Sequence, residues 1–338
     1  QGEDFNMDKR NFLDIFRHAE TFLILTHARP DGDAISSALA MYYFLTDFGK
    51  KPENIMVFIP YVSQDLSFID KDKILKSDCT FDNFDCLIVL DCPDYSMIEG
   101  RELLDKLSLK QRVLIDHHEK SGPIEADYSV IDTSASSCTS IIHRIFSEYM
   151  RENVTNFKTC IAIGIISDTI GLTLHVTDES KKILKDCMES GVDITGLKEE
   201  LNNVDERTRI LTNEAIARLV ISQEIACTYI LQTDLMPNEY SLKAVNHKAI
   251  IKGILNFLDC NTLILLIEND NHEIKGSMRT KVSDIDLNQI CDSMVRDGYF
   301  VKGGGHAKSA GFTKLIDDAA PETLDDIFEH LIKVILNK

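Results

Sequence analysis

Short apolar runs alternate with segments of helical periodicity in the first half of the chain. The apolar runs predict strands at Phe22–Thr26, Ile55–Ile59, Cys86–Leu90 and Arg112–Ile115. The segments between them predict helices at Asp33–Phe48, Ser96–Leu107 and Ala135–Arg151. Continuous apolar strands separated by helices are typical of a parallel sheet covered on both faces. We therefore expect an α/β domain in this half of the chain.

The later pattern predicts a helical connection and a second domain. Cys160–Ile166 fits a helix or a strand equally well, and Lys181–Ser222 has a helical pattern without a strand. Three strands and two helices follow: Ile225–Leu231, Thr262–Glu268, Glu273–Arg279, Leu287–Arg296 and Pro321–Leu336. The predicted organisation is a parallel-sheet N-terminal domain at 1–195, a helical linker at 196–222 and a smaller α/β domain at 223–338.

Composition limits the kinds of partner that this chain can have. Its 338 residues suit two domains, and a net charge of −19 disfavours long nucleic acid, because phosphate neutralisation dominates that affinity. No apolar run approaches the roughly 18 residues of a membrane span, so we expect no membrane partner. Gln1–Asp4 indicate a trimmed end rather than a signal peptide, and nine cysteines without CxxC pairs indicate reduced, buried thiols. The predicted location is cytoplasmic.

The strongest local motif is the segment from His27 to Ala34, which follows a strand and opens a helix. It offers His27, Asp31 and Asp33 within seven residues at the carboxyl edge of the predicted sheet. Ligands bind at this edge in open α/β folds. Helix capping by either aspartate explains the motif as well as metal binding does, so both interpretations stay open.

Three further segments place polar residues after apolar runs. Asp91 follows the third strand, and Asp116, His117 and His118 follow the fourth. Asp168 follows the apolar run whose type is undecided. Clustered titratable groups at buried strand ends are costly without a cation or a substrate to share their charge. We expect all four segments to meet at one edge of the sheet.

The combined donor set predicts two divalent cations. Four carboxylates balance the charge of two such ions, and carboxylate with imidazole but no thiolate suits Mn²⁺, with Mg²⁺ or Co²⁺ as alternatives. Two neighbouring ions clamp a phosphoryl group and activate a water for attack on it. The predicted metal ligands are His27, Asp31, Asp33, Asp91, His117 and Asp168.

The motifs HARPDGDAISS, VLD, DHHE and SDT, in this order, resemble those of the DHH phosphoesterase superfamily. The segment VKGGGHAKSAGF at 301–312 resembles the GGGH signature of the DHH-associated C-terminal domain. Together they cover most of the chain and are most similar to the nanoRNase and pAp-phosphatase (NrnA-type) branch of the superfamily. The resemblance implies a hydrolase of short oligoribonucleotides of about two to five nucleotides, pAp and pApA.

The resemblance also implies a role for each matched residue. One ion would be bound by His27, Asp31 and Asp91, and the other by Asp33, Asp91, His117 and Asp168. Asp116 would orient a neighbouring histidine, and His118 would face the substrate phosphate as a catalytic residue. The implied substrate-binding residues are Arg279, Gly303, Gly304, Gly305 and His306, with Lys302 and Lys308 as nearby cations.

Three positions depart from the family pattern. Ser36 and Ser140 stand where relatives commonly carry Gly and Glu, and Ile170-Gly171 stands where Gly comes first. The last two departures leave the substrate open. The alternatives are a cyclic dinucleotide phosphodiesterase, an inorganic pyrophosphatase or polyphosphatase, and a nucleotide-binding protein without catalysis. The sequence also leaves open whether the protein forms a homodimer.

Overall fold

A computed structural model describes most of the chain. The chain divides into two compact units, Gln1–Asn203 and Val204–Lys338. The described residues are 12–28, 30–59, 62, 66, 69, 74–75, 84–92, 94–98, 109–118, 126–235, 247–258, 260–269, 273–317 and 322–337. The helix Glu206–Ala217, predicted as part of a linker, belongs to the second unit. The Thr228 hydroxyl donates a hydrogen bond to the Ala215 carbonyl, which attaches this helix to the sheet of that unit.

The first unit contains a parallel sheet. Its strands, within the described residues, are β1 (Phe22–Leu25), β2 (Ile55–Phe58), β3 (Ile74–Leu75), β4 (Phe84–Leu90), β5 (Leu109–Asp116) and β6 (Tyr128–Ile131). Their order is β3-β2-β1-β4-β5-β6, and each neighbouring pair is parallel. The predicted α/β fold is confirmed here.

The apolar strands of this sheet bury both of their faces. Ile24 and Ile88 belong to one core cluster, whereas Leu23 and Leu87, one residue earlier in each strand, belong to a second cluster. Successive side chains of a strand point to opposite faces. The unbroken apolar runs in the sequence therefore follow from burial on both sides.

The helices of the first unit are α1 (12–18), α2 (Gly32–Asp47), α3 (Cys138–Phe146), α4 (Val154–Asp168), α5 (Asp178–Glu189) and α6 (Ile194–Asn202). The undecided run Cys160–Ile166 is helical within α4, so Asp168 lies in the last turn of a helix and not at a strand end. Helix α4 packs against both α2 and α3. This packing carries Asp168 to the edge of the sheet without a strand.

The predicted helix Ser96–Leu107 differs from the structure where the two can be compared. A short 3-10 turn covers Tyr95–Met97, and Ile98 is extended; positions 99–108 lie outside the described residues. Asp94 caps the turn by accepting a hydrogen bond from the Ser96 N–H at 2.6 Å.

The strand order places a topological switch point between β1 and β4. The chain leaves β1 towards β2 on one side, whereas β4 pairs with β1 on the other side. Ligands of open α/β sheets bind outside the carboxyl ends of the strands at such a point. His27 and Asp91 follow these two strands.

The second unit has a mixed sheet in the order β11-β12-β10-β9-β8-β7. Its strands are β7 (Val220–Ser222), β8 (Ile225–Ile230), β9 (Thr262–Glu268), β10 (Glu273–Thr280), β11 (Lys302–His306) and β12 (Ser309–Leu315). Strands β8 and β9 are parallel, and the other pairs are antiparallel. The prediction that Lys181–Ser222 contains no strand is wrong, because β7 lies at the end of this segment and pairs with β8 as a hairpin.

The helices of the second unit are α7 (Glu206–Ala217), α8 (His247–Phe257), α9 (Leu287–Arg296) and α10 (Leu324–Leu336). Helices α9 and α10 contribute Ile290 and Leu331 to one core with Ile264 of the sheet. Helix α10 begins later than predicted, because the Thr323 side chain caps it by accepting from the Asp326 N–H.

Two structural findings bear on the expectations from composition. Within the parts of the chain that the structure describes, no helix combines the length and the apolar character needed to cross a bilayer. The eight described cysteines are all buried, and none is in a disulfide. Burial raises the pKa of the Cys92 thiol, next to Asp91, to about 12, which disfavours the nucleophilic thiolate.

The Asp47 carboxylate at the end of α2 connects this helix to the start of α4. It accepts hydrogen bonds from the N–H groups of Arg151 at 2.7 Å, Glu152 at 3.0 Å and Asn153 at 3.1 Å. Burial opposes ionisation, but these bonds outweigh it and lower the pKa of Asp47. The carboxylate therefore stabilises the fold above its unfolded pKa, and this contribution is lost as the pH falls through the folded pKa.

Replacing Asp47 by Asn should lower the free energy of unfolding at pH 7 by about 1 kcal/mol, since the group is partly exposed and water screens its charge. Urea denaturation of both proteins between pH 7 and pH 3 measures the difference, which should shrink below about pH 4 as Asp47 is protonated. Asp14→Asn, at an exposed carboxylate of α1, is the control and should change little. A difference independent of pH would contradict this account.

Candidate metal centre

The loop after β1 brings His27 and Asp31 to the carboxyl edge of the sheet. The Asp31 Oδ1 atom accepts hydrogen bonds from the N–H groups of Asp33 at 3.0 Å and Ala34 at 3.1 Å, so Asp31 caps helix α2. His27, Asp31 and Asp91 also offer ligand atoms within 4.8 Å of one another. The structure thus supports both interpretations of this motif, since an Asp31 oxygen can cap the helix while the carboxylate remains near two other donors.

Asp33 is fully buried on the first turn of α2. Its Oδ2 accepts a hydrogen bond from the Cys138 N–H at 2.6 Å, and its Oδ1 accepts from the Thr139 N–H at 3.1 Å. These two N–H groups begin helix α3, where helical hydrogen-bond partners are missing. Asp33 therefore caps α3 from a different helix and takes a defined orientation.

Asp91 occupies the centre of the group. One of its oxygens lies 3.3 Å from His117 Nε2 and 3.4 Å from His118 Nδ1, and the other lies 3.8 Å from His27 Nε2. Its backbone has a φ of +53°, in the left-handed region that non-glycine residues seldom adopt. Such strain is typical of functional positions, where the surroundings hold the backbone in place.

His117 is fully buried, and three carboxylates surround its Nε2 atom. Asp91 lies at 3.3 Å, Asp168 at 3.4 Å and Asp33 at 3.7 Å. On the other side of the ring, Nδ1 lies 3.3 Å from the carbonyl oxygen of Ala135. Because a proton on Nδ1 can be donated to that carbonyl, Nε2 is the atom suited to bind a cation.

Asp116 orients the neighbouring His118. Its Oδ1 atom accepts the N–H groups of His117 at 2.8 Å and His118 at 3.2 Å, and it lies 2.8 Å from His118 Nδ1. The Asp116 carboxylate is buried, whereas the His118 side chain keeps 24% of its surface exposed. His118 is therefore the partly exposed member of this pair, and Asp116 determines the orientation of its ring.

Asp168 precedes a turn with unusual backbone angles. Ile170, Leu172 and His175 have φ values of +50°, +69° and +53°. Ile170 is β-branched, so this conformation is strained, whereas a glycine at this position would adopt it without strain. Burial lowers the pKa of His175, and His117 lowers it further. The turn therefore brings His175, which matched no motif, into the electrostatic surroundings of the site.

Excess negative charge perturbs the ionisation of this group. Burial, with the charges of Asp91 and Asp168, raises the pKa of Asp33 well above its usual value. Burial lowers the pKa of His117, but the hydrogen bond with Asp91 and the nearby charges outweigh it and raise this pKa to about 10. A divalent cation would replace the imidazole proton as the counter-charge, and carboxylate with imidazole is a donor set that fits it.

The substrate-binding residues implied by the resemblance lie in the second unit. Gly303, Gly304, Gly305 and His306 form the edge strand β11, which pairs with β12 and is not a loop around an anion. The Gly305 N–H already donates to the Asn288 side chain at 2.9 Å, so it cannot also contact a phosphate. A Cβ at this position would lie 2.3 Å from the Ser309 carbonyl oxygen, so close strand pairing explains this glycine.

The cations near this strand have different surroundings. Arg279 is largely buried in β10, and its guanidinium donates to the Met278 carbonyl at 2.8 Å. Lys308 donates to the carbonyl oxygens of Val282, Ser283 and Ile285, so it holds a loop and is not available for phosphate. Lys302 is exposed.

Sequence reasoning missed the residues that hold the ligands in place. Thr139 donates its hydroxyl to Asp33 at 2.9 Å, and Ala135 offers its carbonyl to His117. The Ser137 hydroxyl, which accepts the Ser140 N–H, is a recognisable helix cap. Asp33, the partner of Thr139, lies 106 residues earlier in the chain, and no local pattern indicates that pairing.

Comparison with known proteins identifies a family for part of this chain. Residues 21–165 match the family described as DHH family, N-terminal domain. Residues 21–165 are therefore a DHH-family domain, and the predicted resemblance is confirmed.

Individual relatives extend the similarity over most of the chain. A protein of Mycoplasma genitalium named bifunctional oligoribonuclease and PAP phosphatase NrnA is 21% identical over 88% of this chain and 90% of its own length. A membrane protein–large ribosomal subunit bL9 fusion protein of Onion yellows phytoplasma is 23% identical over 98% of this chain. This chain spans only 39% of the fusion protein's length.

A solved structure shares the fold. An exopolyphosphatase-related protein of Bacteroides fragilis superposes with a TM-score of 0.75 at 18% identity, over 98% of this chain and 96% of the other. At this identity the similarity concerns the fold alone, and it agrees with the two α/β units described above.

Replacing Asp91 by Asn should weaken Mn²⁺ binding by more than the roughly 10- to 100-fold typical of losing an outer partner of a ligand. The amide keeps the shape of the carboxylate but removes its charge from the centre of the group. Isothermal titration calorimetry of the metal-free protein measures the change.

The matched control for this substitution is Asp85→Asn at the opposite end of β4. Asp85 pairs with Lys110 at 2.7 Å and accepts the Glu20 N–H at 2.9 Å, away from the carboxyl edge. Its loss should cost stability and leave Mn²⁺ binding intact. Equal effects of the two substitutions would show that Asp91 has no special part in binding.

Proposed function

We propose that the protein is a two-metal phosphoesterase that hydrolyses short nucleotide substrates, namely oligoribonucleotides of about two to five residues and pAp. Mn²⁺ is the proposed metal, since its preference for mixed carboxylate and imidazole donors matches the residues of the site. The two ions, when bound, would supply charge stabilisation for the phosphoryl group and a nucleophilic water at neutral pH.

The position of Asp91 supports the proposal of two ions and not one. It belongs to a cluster with His27 and Asp31 and to another with Asp33 and His117, each with ligand atoms within 4.8 Å. A carboxylate has two oxygens, so one residue can serve two cations. Asp168 approaches the second cluster, 3.4 Å from His117 Nε2.

The protein's own groups would orient the substrate and move a proton. His118 is the more exposed histidine beside the clusters, at 24% against 14% for His27, and its Nδ1 faces Asp116. Burial opposes protonation of His118, but the hydrogen bond with Asp116 and the charge of Asp91 raise its pKa. A protonated Nε2 can donate a hydrogen bond to the phosphate or a proton to the leaving oxygen.

Short substrates are favoured by charge and by similarity. The net charge of −19 opposes a long polyanion, which needs an extended basic surface. The relative from Mycoplasma genitalium is named for oligoribonuclease and PAP phosphatase activities and aligns over nearly its whole length. Both observations support small nucleotides as the substrate class.

Replacing Asp116 by Asn should lower kcat about 10- to 100-fold with a dinucleotide substrate while Mn²⁺ binding changes little, because Asp116 orients His118 and belongs to neither of the two proposed clusters, although it forms a further donor group with Asp91 and His118. Steady-state kinetics and calorimetry measure the two properties. Asp127→Asn is the matched control, since Asp127 is exposed and accepts the Arg112 N–H at 2.7 Å. Loss of metal together with turnover would assign Asp116 to the metal clusters instead.

A substrate panel with Mn²⁺ tests the proposed specificity. Dinucleotides to pentanucleotides, pAp and pApA should be hydrolysed, and turnover should decline on single strands of twenty or more nucleotides, roughly in line with electrostatic repulsion. Pyrophosphate, polyphosphate and cyclic dinucleotides complete the panel. Faster turnover of pyrophosphate or of a cyclic dinucleotide would contradict the proposed substrate class and identify that compound as the better substrate. Tight nucleotide binding without turnover would overturn the assignment as an enzyme.

A further inference from the structure

The hydrogen bonds of Asp33 leave a defined position for a cation. An ionised carboxylate has about four acceptor sites, two on each oxygen. The Oδ1 atom accepts both the N–H and the hydroxyl of Thr139, at 3.1 and 2.9 Å, and Oδ2 accepts, among the described residues, only the Cys138 N–H, at 2.6 Å. One site therefore remains, on Oδ2, which is also the oxygen that lies 3.7 Å from His117 Nε2.

Gly164 of helix α4 lies next to the hydrogen bond between Thr139 and Asp33. A Cβ at this position would lie 2.2 Å from the Thr139 hydroxyl oxygen and 2.5 Å from Asp33 Oδ1. Both distances are far below van der Waals contact. Glycine is unfavourable in the middle of a helix, so helix propensity does not explain its presence in α4. The space that it leaves is the space that the hydrogen bond between Thr139 and Asp33 occupies.

We infer that Thr139 and Gly164 are positioning residues that turn Asp33 so that only Oδ2 faces the ion shared with Asp91 and His117. The inference rests on the proposed two-metal function and adds which oxygen binds and what orients it. Hydrogen-bonded partners of a ligand fix its orientation and contribute to metal affinity. Thr139 touches no other member of the two clusters through its hydroxyl, as far as the described hydrogen bonds extend.

The expected effect is selective for one of the two ions. Asp31, in the other cluster, accepts the N–H groups of Asp33 and Ala34 at the start of α2. Weakening the hold on Asp33 should therefore reduce the affinity for the ion near His117 and leave the ion near His27 in place. A general loss of folding would remove both.

Thr139→Val removes the hydroxyl at nearly constant volume and keeps the Thr139 N–H bond to Asp33. Titration of the metal-free protein with Mn²⁺, followed by calorimetry and by electron paramagnetic resonance, reports both affinities and the magnetic coupling of a neighbouring pair. The wild type should bind two coupled ions. Thr139→Val should bind one ion normally and the second about 10- to 100-fold more weakly, with the signal of an uncoupled ion at two equivalents.

Thr139→Ser keeps the hydroxyl and should restore the pair. Thr46→Val is the matched control, because the Thr46 hydroxyl bonds the Tyr43 carbonyl at 2.8 Å near the other end of α2. Gly164→Ala is an independent probe and should lose the second ion while circular dichroism of the metal-free protein stays helical. If Gly164→Ala does not fold, the two Thr139 variants still decide.

Normal binding of both ions by Thr139→Val would overturn the inference and leave the two-metal proposal standing. The same conclusion follows if Thr139→Ser is as weak as Thr139→Val, or if Thr46→Val shows the same loss. A wild type that binds no pair of ions would overturn the proposed function, and the inference with it.

Discussion

Negative charge concentrated at a buried sheet edge is the constraint on which this structure depends. Asp33, Asp91 and Asp116 are all nearly inaccessible to solvent, and taking carboxylates out of water is costly unless their charge is shared. The parallel sheet creates the problem, because it brings the ends of β1, β4 and β5 together. It also offers a solution, since a divalent cation at the switch point shares the charge of several carboxylates at once.

Helix N-termini offset part of this charge without any metal. Asp31 accepts two N–H groups that begin α2, and Asp33 accepts two that begin α3. A carboxylate at a helix N-terminus is stabilised by the unpaired N–H groups and by the helix dipole. The same hydrogen bonds use up oxygen lone pairs and so limit how each carboxylate can bind a cation. Capping and metal binding are therefore complementary roles of these aspartates.

The sequence predicts the candidate ligand residues better than it predicts the residues that hold them in place. Asp91 and His117 could be placed from apolar runs alone, because the ends of neighbouring parallel strands meet at one edge. Asp168 could not, since a run of seven apolar residues fits a helix or a strand and only packing against α2 and α3 decides. The partners of Asp33 and of Gly305 belong to other elements of the fold. Such pairings have no local periodicity and become visible only in three dimensions.

The backbone of Asp91 illustrates how the site depends on its surroundings. At the end of β4 the chain turns through a left-handed conformation that costs about 1–3 kcal/mol for most residues. Aspartate tolerates this region better than apolar residues do, which suits the position that must also supply a charge. The Asp91 N–H donates to the Ile115 carbonyl at 3.0 Å, which fastens the turn to the neighbouring strand β5. Because β5 also carries Asp116 and leads to His117, one strand pair fixes the distances on which both proposed ion positions rely.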